Sequence, residues 1–231
     1  MKIENLEITS NTQELYDSFN SFIMSSDRRL FNKLIARTLL YDTVKHVPGD
    51  IVECGVFKGS GLYTFLKLKT LMNPNGSKKV IGFDFFNTDD LLSSIKSDHD
   101  KNAMSTLFNG RDFNYGTSYK QLLSDNLISD GFTTDDFELI EGNIIETTRT
   151  FVIENPGFKI SFLYMDLDLD EPTYESLCNL WDRVSKGGII IFDEYGYHKW
   201  SESVGVDRFI EEKGIELKYL DYFCPTAYII K

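Results

Sequence analysis

The segment DIVECGVFKGSG, Asp50 to Gly61, decides the fold. Asp50-Ile51-Val52-Glu53-Cys54 is an apolar run of strand length, and Pro48-Gly49 breaks the chain just before it. Three glycines follow at G-x-x-x-G-x-G spacing, and Ser60 opens a periodic apolar run that predicts a helix to Leu71. Glycine lets backbone N–H groups approach a ligand, and a helix N-terminus adds positive potential. The spacing is not the G-x-G-x-x-G of dinucleotide enzymes. Glu53, at the strand end, would repel a pyrophosphate and suits a cationic group such as an ammonium or sulfonium. A plain tight turn accounts for the glycines equally well, and the segment alone does not separate the two readings.

Outward from this segment, strands and helices alternate. Strands are expected at Lys79–Asp84, Phe137–Glu141, Lys159–Met165 and Gly188–Phe192. Helices are expected at Tyr119–Ile128, Ile144–Ile153, Pro172–Val184 and Val204–Lys213. Ile215–Asp221 and Ala227–Ile230 read as a closing strand pair around Pro225. Before the segment, Thr12–Met24 carries Leu15, Phe19, Phe22 and Ile23 at helical spacing. Asp27 can cap a second helix to Lys45, with a stripe of Leu30, Leu34, Ile35, Thr38 and Leu39. The polar stretch 87–114 reads as a lid-like insertion, and residues 1–47 as a helical cap on a single domain spanning 1–231. Alternation of this kind predicts an α/β, Rossmann-like fold: a mostly parallel sheet with an antiparallel C-terminal strand and helices on both faces.

In such sheets ligands bind beyond the carboxyl ends of the strands. Every core strand delivers an acid or a glycine turn to that rim: Glu53 and Gly55, then Asp84, then Gly142-Asn143, then Asp166 and Asp168, then Asp193 and Glu194. A carboxylate at Asp84 can accept both hydroxyls of a ribose, although capping the following stretch is the plainer role. Asp166-Leu167-Asp168-Leu169-Asp170-Glu171 packs four acids into six residues, and a hard cation such as Mg²⁺ would offset their repulsion. Asp170 and Glu171, before Pro172, suit helix capping instead. Asp166, Asp193 and Glu194, from two strands, form a cradle if those strands are neighbours. Tyr195 and Trp200 could stack on a substrate ring and His198 could touch it, though packing and ordinary surface explain them as well.

The chain has 231 residues, 42% of them hydrophobic, and a formal net charge of −12. That balance excludes disorder and disfavours nucleic-acid phosphates and anionic lipid. Cys54, Cys178 and Cys224 fit neither a disulfide framework nor a zinc site, so core thiols are expected. Met1–Asn5 shows no basic region leading into an apolar run, and a cytoplasmic protein is expected.

Taken together, "PGDIVECGVFKGSG", "IGFDFF", "LIEGNIIET", "MDLDLDEPTYESL", "KGGIIIFDEYG" and "PTAYIIK" resemble the macrocin O-methyltransferase family, from about Arg29 to Lys231. The resemblance implies a class I methyltransferase fold with seven strands, S-adenosylmethionine as cofactor, and Mg²⁺-dependent methylation of a sugar hydroxyl. It implies that Glu53 and Gly55 approach the methionine part with Ser60 beside them, that Asp84 holds the ribose, and that Phe85 and Asn143 flank the adenine. It further implies Asp166, which also borders the cofactor, together with Asp193 and Glu194 as Mg²⁺ ligands, and Asp168 as general base. Glu194 stands where the family often has a second Asp, Gly-Leu-Pro is missing after Phe86, and Asp170 replaces a common Tyr. The expected partner is a small-molecule or saccharide acceptor, and the reading leaves a homo-oligomer open. The rivals are a catechol-type acceptor, a nucleotide-cofactor oxidoreductase or hydroxylase on the same fold, and a non-catalytic binding domain.

Overall fold

The computed structural model describes residues 10–109, 119–221 and 224–231. Seven strands form one sheet: β1 (Asp50–Cys54), β2 (Val80–Asp84), β3 (Phe137–Glu141), β4 (Ile160–Met165), β5 (Val184–Phe192), β6 (Lys218–Tyr219) and β7 (Ala227–Ile230). Their order is β3-β2-β1-β4-β5-β7-β6. β1 to β5 pair in parallel, and β7 lies antiparallel between β5 and β6. The expected mostly parallel sheet with an antiparallel hairpin is therefore present. The central strands are buried along almost their whole length, as parallel strands covered on both faces must be. The strand order reverses between β1 and β4, so the crevice for a ligand opens above that pair.

One face is covered by α2 (Arg28–Val44), α3 (Ser60–Met72) and α6 (Tyr119–Ser129), and the other by α7 (Ile144–Glu154), α8 (Asp170–Leu180) and α9 (Glu202–Lys213). The insertion forms α4 (Thr88–Ser94) and α5 (Asp98–Phe108); its end, residues 110–114, lies outside the described residues. Among the described residues, no helix is long and apolar enough to cross a membrane. Cys54 and Cys224 are buried thiols, whereas Cys178 is exposed rather than in the core.

Two departures from expectation stand out. The helix expected to run to Val184 stops at Leu180; a 3-10 turn, Trp181–Arg183, follows, and Val184 already pairs with Ile160. Trp181 is held edge-on against Phe209, at 5.5 Å, and under the Lys231 ammonium, at 4.6 Å. Long-range packing thus outweighs the local helical pattern. The second departure concerns α1 (Ser10–Met24) and α2. Asp27 caps α2 as expected, accepting from the Arg29 N–H at 2.9 Å. Yet the apolar stripes face solvent: Leu15, Phe19, Leu34 and Leu39 are all exposed. The face of α2 turned to the body carries Lys33, Ala36, Arg37, Leu40, Tyr41 and Val44.

Candidate active site

The rim glycines have three separate reasons. A Cβ on Gly55 would lie 1.9 Å from the Asp166 carbonyl oxygen, so only glycine lets β1 run this close to β4. Gly59 caps α3 in the left-handed region, at φ 86°. A Cβ on Gly61 would lie 1.6 Å from Glu53 Oε1, so the bare helix surface makes room for the acid. Glu53 is 1% exposed, and its Oε2 has no hydrogen-bond partner. Burial pushes its carboxyl up to about 8, with Arg37, 3.9 Å away, opposing.

Asp84 is the hub of the turn. Its Oδ2 accepts from the Val56 and Phe57 N–H groups, and its Oδ1 from that of Phe86, all at 2.8 Å. Phe57 and Phe86 sit at φ 52° and 51°, where bulky residues are strained. Each such residue costs about 1–2 kcal/mol, and a hydrogen bond to a charged acceptor returns roughly 1.5–3 kcal/mol. The Asp84 carboxylate therefore offsets the strain of two loops. Burial raises its pKa, with those N–H groups pulling the other way. Asn143 caps α7, its side chain accepting from the Ile145 N–H at 3.1 Å.

A cavity of about 610 Å³ runs along this rim. Glu53, Gly55, Ser60, Asp84, Phe85 and Asn143 line it, as do Asp166, Asp168 and Glu194. Leu91, Lys96, Asp100 and Phe108 from the insertion, together with Trp200, also line it. Of the residues expected to touch substrate, Tyr195 and His198 do not line the cavity. The Tyr195 hydroxyl donates to Asp207 at 2.7 Å, and His198 is exposed beside the Tyr197 ring. Asp170 and Glu171 stand in the first turn of α8 but are not its N-cap. The N-cap is Leu169, and Ser201 Oγ accepts from the Asp170 N–H at 2.9 Å.

β4 and β5 are neighbours, which brings Asp166 close to Asp193, but Asp193 is not among the described residues that line the cavity. Asp193 is fully buried, and its carboxylate accepts from the Tyr164 hydroxyl and, at 2.8 Å, from the Cys224 thiol. Lys33 bridges the two strands, 2.6 Å from Asp193 Oδ2 and 3.1 Å from Asp166 Oδ2. Arg37, one turn on, is 3.7 Å from Asp166 and stacks over Tyr164 at 4.7 Å. Burial would raise Asp193, but Lys33 and Arg37 outweigh it and hold the carboxyl below its usual range. Burial, and then Asp193, pushes Glu194 up to about 7. Burial, and then Asp166, pushes Asp168 well up, and Asp168 sits in the left-handed region at φ 64°.

Among the described residues, the metal-sized group is Asp193, Glu194 and Cys224, without the expected Asp166. Ligand atoms of Asp193, Glu194 and Cys224 lie within 4.8 Å of one another, and Glu194 Oε2 is buried with no partner. Burial raises the Cys224 thiol, which keeps its proton and serves as a donor to Asp193, so the hard ligands are the carboxylates. Lys33 supplies positive charge at the place where Asp166 and Asp193 need it. Sequence reasoning missed Lys33, Arg37, Tyr164, Cys224 and Glu202. Glu202 is fully buried, and its Oε1 accepts from the Glu194 N–H at 3.2 Å. Its own N–H donates to the Asp168 carbonyl at 3.1 Å. An acid opening a helix is an ordinary sequence feature, and nothing in the spacing marks this one.

The family model described as macrocin O-methyltransferase matches residues 17–226. The chain belongs to that family. It is an O-methyltransferase with the fold of the class I enzymes. Solved structures agree. The crystal structure of the calicheamicin methyltransferase CalS11 is 26% identical with a TM-score of 0.72, over 97% of this chain and 94% of that one. The O-methyltransferase NovP shares the fold at 21% identity and a TM-score of 0.69, over 87% and 79% of the two chains. An O-methyltransferase from Bacillus cereus does so at 13% identity and 0.58, over 98% and 93%. No curated protein sequence is similar enough to count as a match.

Proposed function

We propose that this macrocin O-methyltransferase family member transfers the methyl group of S-adenosylmethionine to a hydroxyl of a sugar or sugar-bearing acceptor, with Mg²⁺ among the acids that follow β4 and β5. The observation that carries the reading is that one cavity is lined both by Glu53, Asp84 and Asn143 and by Asp166, Asp168 and Glu194. A similar structure, 25% identical with a TM-score of 0.67, is titled a TDP-rhamnose 3'-O-methyltransferase, which supports a saccharide acceptor. Glu53 stands where the cationic methionine part would lie, Asp84 where the ribose hydroxyls would, and Phe85 and Asn143 beside the adenine. Asp166, Asp193 and Glu194 would hold the metal.

Bound Mg²⁺ would supply a lowered hydroxyl pKa and a fixed oxygen position. Asp168 takes the hydroxyl proton as the oxygen–methyl bond forms and the sulfur–methyl bond breaks, leaving a neutral thioether. Residues of the insertion and Trp200 share the cavity lining, and in this reading they would shield the acceptor from water.

The test measures S-adenosylhomocysteine release with TDP-rhamnose and with free deoxyhexoses and their glycosides, in Mg²⁺ and in EDTA. Release that needs Mg²⁺ and falls at least about 10²-fold in Asp168→Asn supports the scheme. Release with a catechol and with no saccharide overturns the acceptor class. Calorimetry showing no S-adenosylmethionine binding overturns the whole reading.

A further inference from the structure

A buried guanidinium normally engages close acceptors, because a donor left unpaired in the interior bears its full desolvation penalty. Arg37 breaks that pattern. It is 4% exposed, and its Nε has no hydrogen-bond partner among the described residues. Its carboxylate neighbours, Glu53 at 3.9 Å and Asp166 at 3.7 Å, stand beyond ordinary hydrogen-bond length. The group is held by aromatic rings instead, over Tyr164 at 4.7 Å and Phe65 at 5.5 Å from the ring centroids. Glu53 beside it has the opposite defect, since its buried Oε2 is an acceptor without a donor. Both residues line the cavity. Glu53 is fixed at β1 against Gly61, and Arg37 is fixed on α2 by those rings, so neither closes the gap to the other. Lys33, the other α2 cation in the lining, is already engaged by Asp166 and Asp193. An unsatisfied donor and an unsatisfied acceptor side by side suit a ligand that carries one group of each kind.

We propose that Arg37 and Glu53 are the two halves of a clamp for an α-amino-acid head, with Arg37 taking the carboxylate and Glu53 the ammonium of the same carbon. The proposal rests on the function proposed above, which makes that head the methionine end of S-adenosylmethionine and of its product, S-adenosylhomocysteine. A planar guanidinium matches a carboxylate with two parallel N–H···O bonds, whereas a lysine offers only a point charge. The rival seat for the carboxylate is the N-terminus of α3, where Ser60 shares the lining. Glu53 Oε1 already crowds that first turn at Gly61, so a carboxylate there would meet a like charge.

The experiment is calorimetric titration of the full chain with S-adenosylhomocysteine and with its decarboxylated analogue, which keeps the amine and the adenosine. Wild type should bind S-adenosylhomocysteine about 10–100-fold more tightly than the analogue. Arg37→Met should weaken S-adenosylhomocysteine by a similar factor. It should leave the analogue as tight or tighter, because that ligand is a plain cation and loses a like-charged neighbour. Arg37→Lys should recover only part of the preference. An arginine with a merely structural role would affect both ligands alike. Far-ultraviolet circular dichroism checks that each variant is folded, and the wild-type comparison of the two ligands needs no variant. Equal wild-type affinities overturn the clamp and leave the methyltransferase reading standing, as does an undiminished preference in folded Arg37→Met. No binding of either ligand overturns the clamp together with the cofactor assignment beneath it.

Discussion

Replacing Lys33 by methionine removes the one cation that touches both Asp166 and Asp193 among the described residues, while keeping the side chain's length and apolar stem. Breaking a buried pair by removing one partner costs about 3–5 kcal/mol, because the other charge stays behind. Asp193 keeps the Tyr164 and Cys224 donors, and Arg37 remains 3.7 Å from Asp166, so the lower end applies, about 3 kcal/mol. For a chain of this size each kcal/mol moves Tm by about 2–4 °C, which predicts a fall of roughly 6–12 °C for Lys33→Met in EDTA. A cation at a hundredfold excess over its Kd returns about 2.7 kcal/mol. Mg²⁺ should therefore restore nearly all of the loss in Lys33→Met. It should raise wild type less, where it must first displace the ammonium. The assay is scanning calorimetry of both proteins in EDTA and in Mg²⁺. Equal Tm values in EDTA would refute the reasoning, and so would equal gains from Mg²⁺.

Three further outcomes follow from the same geometry. Gly61→Ala places a methyl against Glu53 and should cost about 1–3 kcal/mol in denaturant titration; in a Glu53→Ala background the cost should shrink, and strict additivity would sink the explanation. Glu202→Ala frees the Glu194 backbone and should weaken divalent-cation affinity about 10–100-fold by calorimetry, whereas Glu202→Gln, which keeps an acceptor oxygen, should retain most of it. Asp136 accepts from Lys69 at 2.8 Å and from Thr133, and these bonds hold its pKa at about 2. A depressed carboxylate stabilises the fold above its unfolded value of 3.8, and the contribution is lost as pH falls from there through 2. Asp136→Asn should thus be less stable at neutral pH and show a flatter decline across that window; parallel acid-unfolding curves would contradict this.

The sheet was legible because its evidence is local. Ile51-Val52 and Ile189-Ile190-Ile191 read as buried strands, and the acids that end each strand sit at one rim whatever the loops do. β3 matches its expected bounds, since Phe137–Glu141 is flanked by turn residues on both sides. What failed to show is what depends on residues distant in sequence. Lys33 and Arg37 look like the polar face of a surface helix until Asp166 and Asp193, more than 120 positions away, give them counter-charges. Periodicity located the stripe of α2 but not the direction in which it points. Glu202 hides for the same reason, and Tyr195 misleads because its hydroxyl is spent on Asp207. The end of α8 at Leu180 is set by Trp181 packing on Phe209, which no pattern within residues 172–184 encodes.

The near-contact between Gly55 and the Asp166 carbonyl has a consequence for how such an enzyme can diversify. It lies on the cavity rim at the seam between adjacent strands, where the spacing is the roughly 4.8 Å of any sheet. In the proposed scheme, the gap between methyl donor and acceptor oxygen becomes a property of the backbone ladder rather than of the loops. The cap helices and the insertion can exchange one acceptor for another while the reaction distance stays the same. On that scheme, a change of acceptor falls to the covering segments and leaves the strand seam intact.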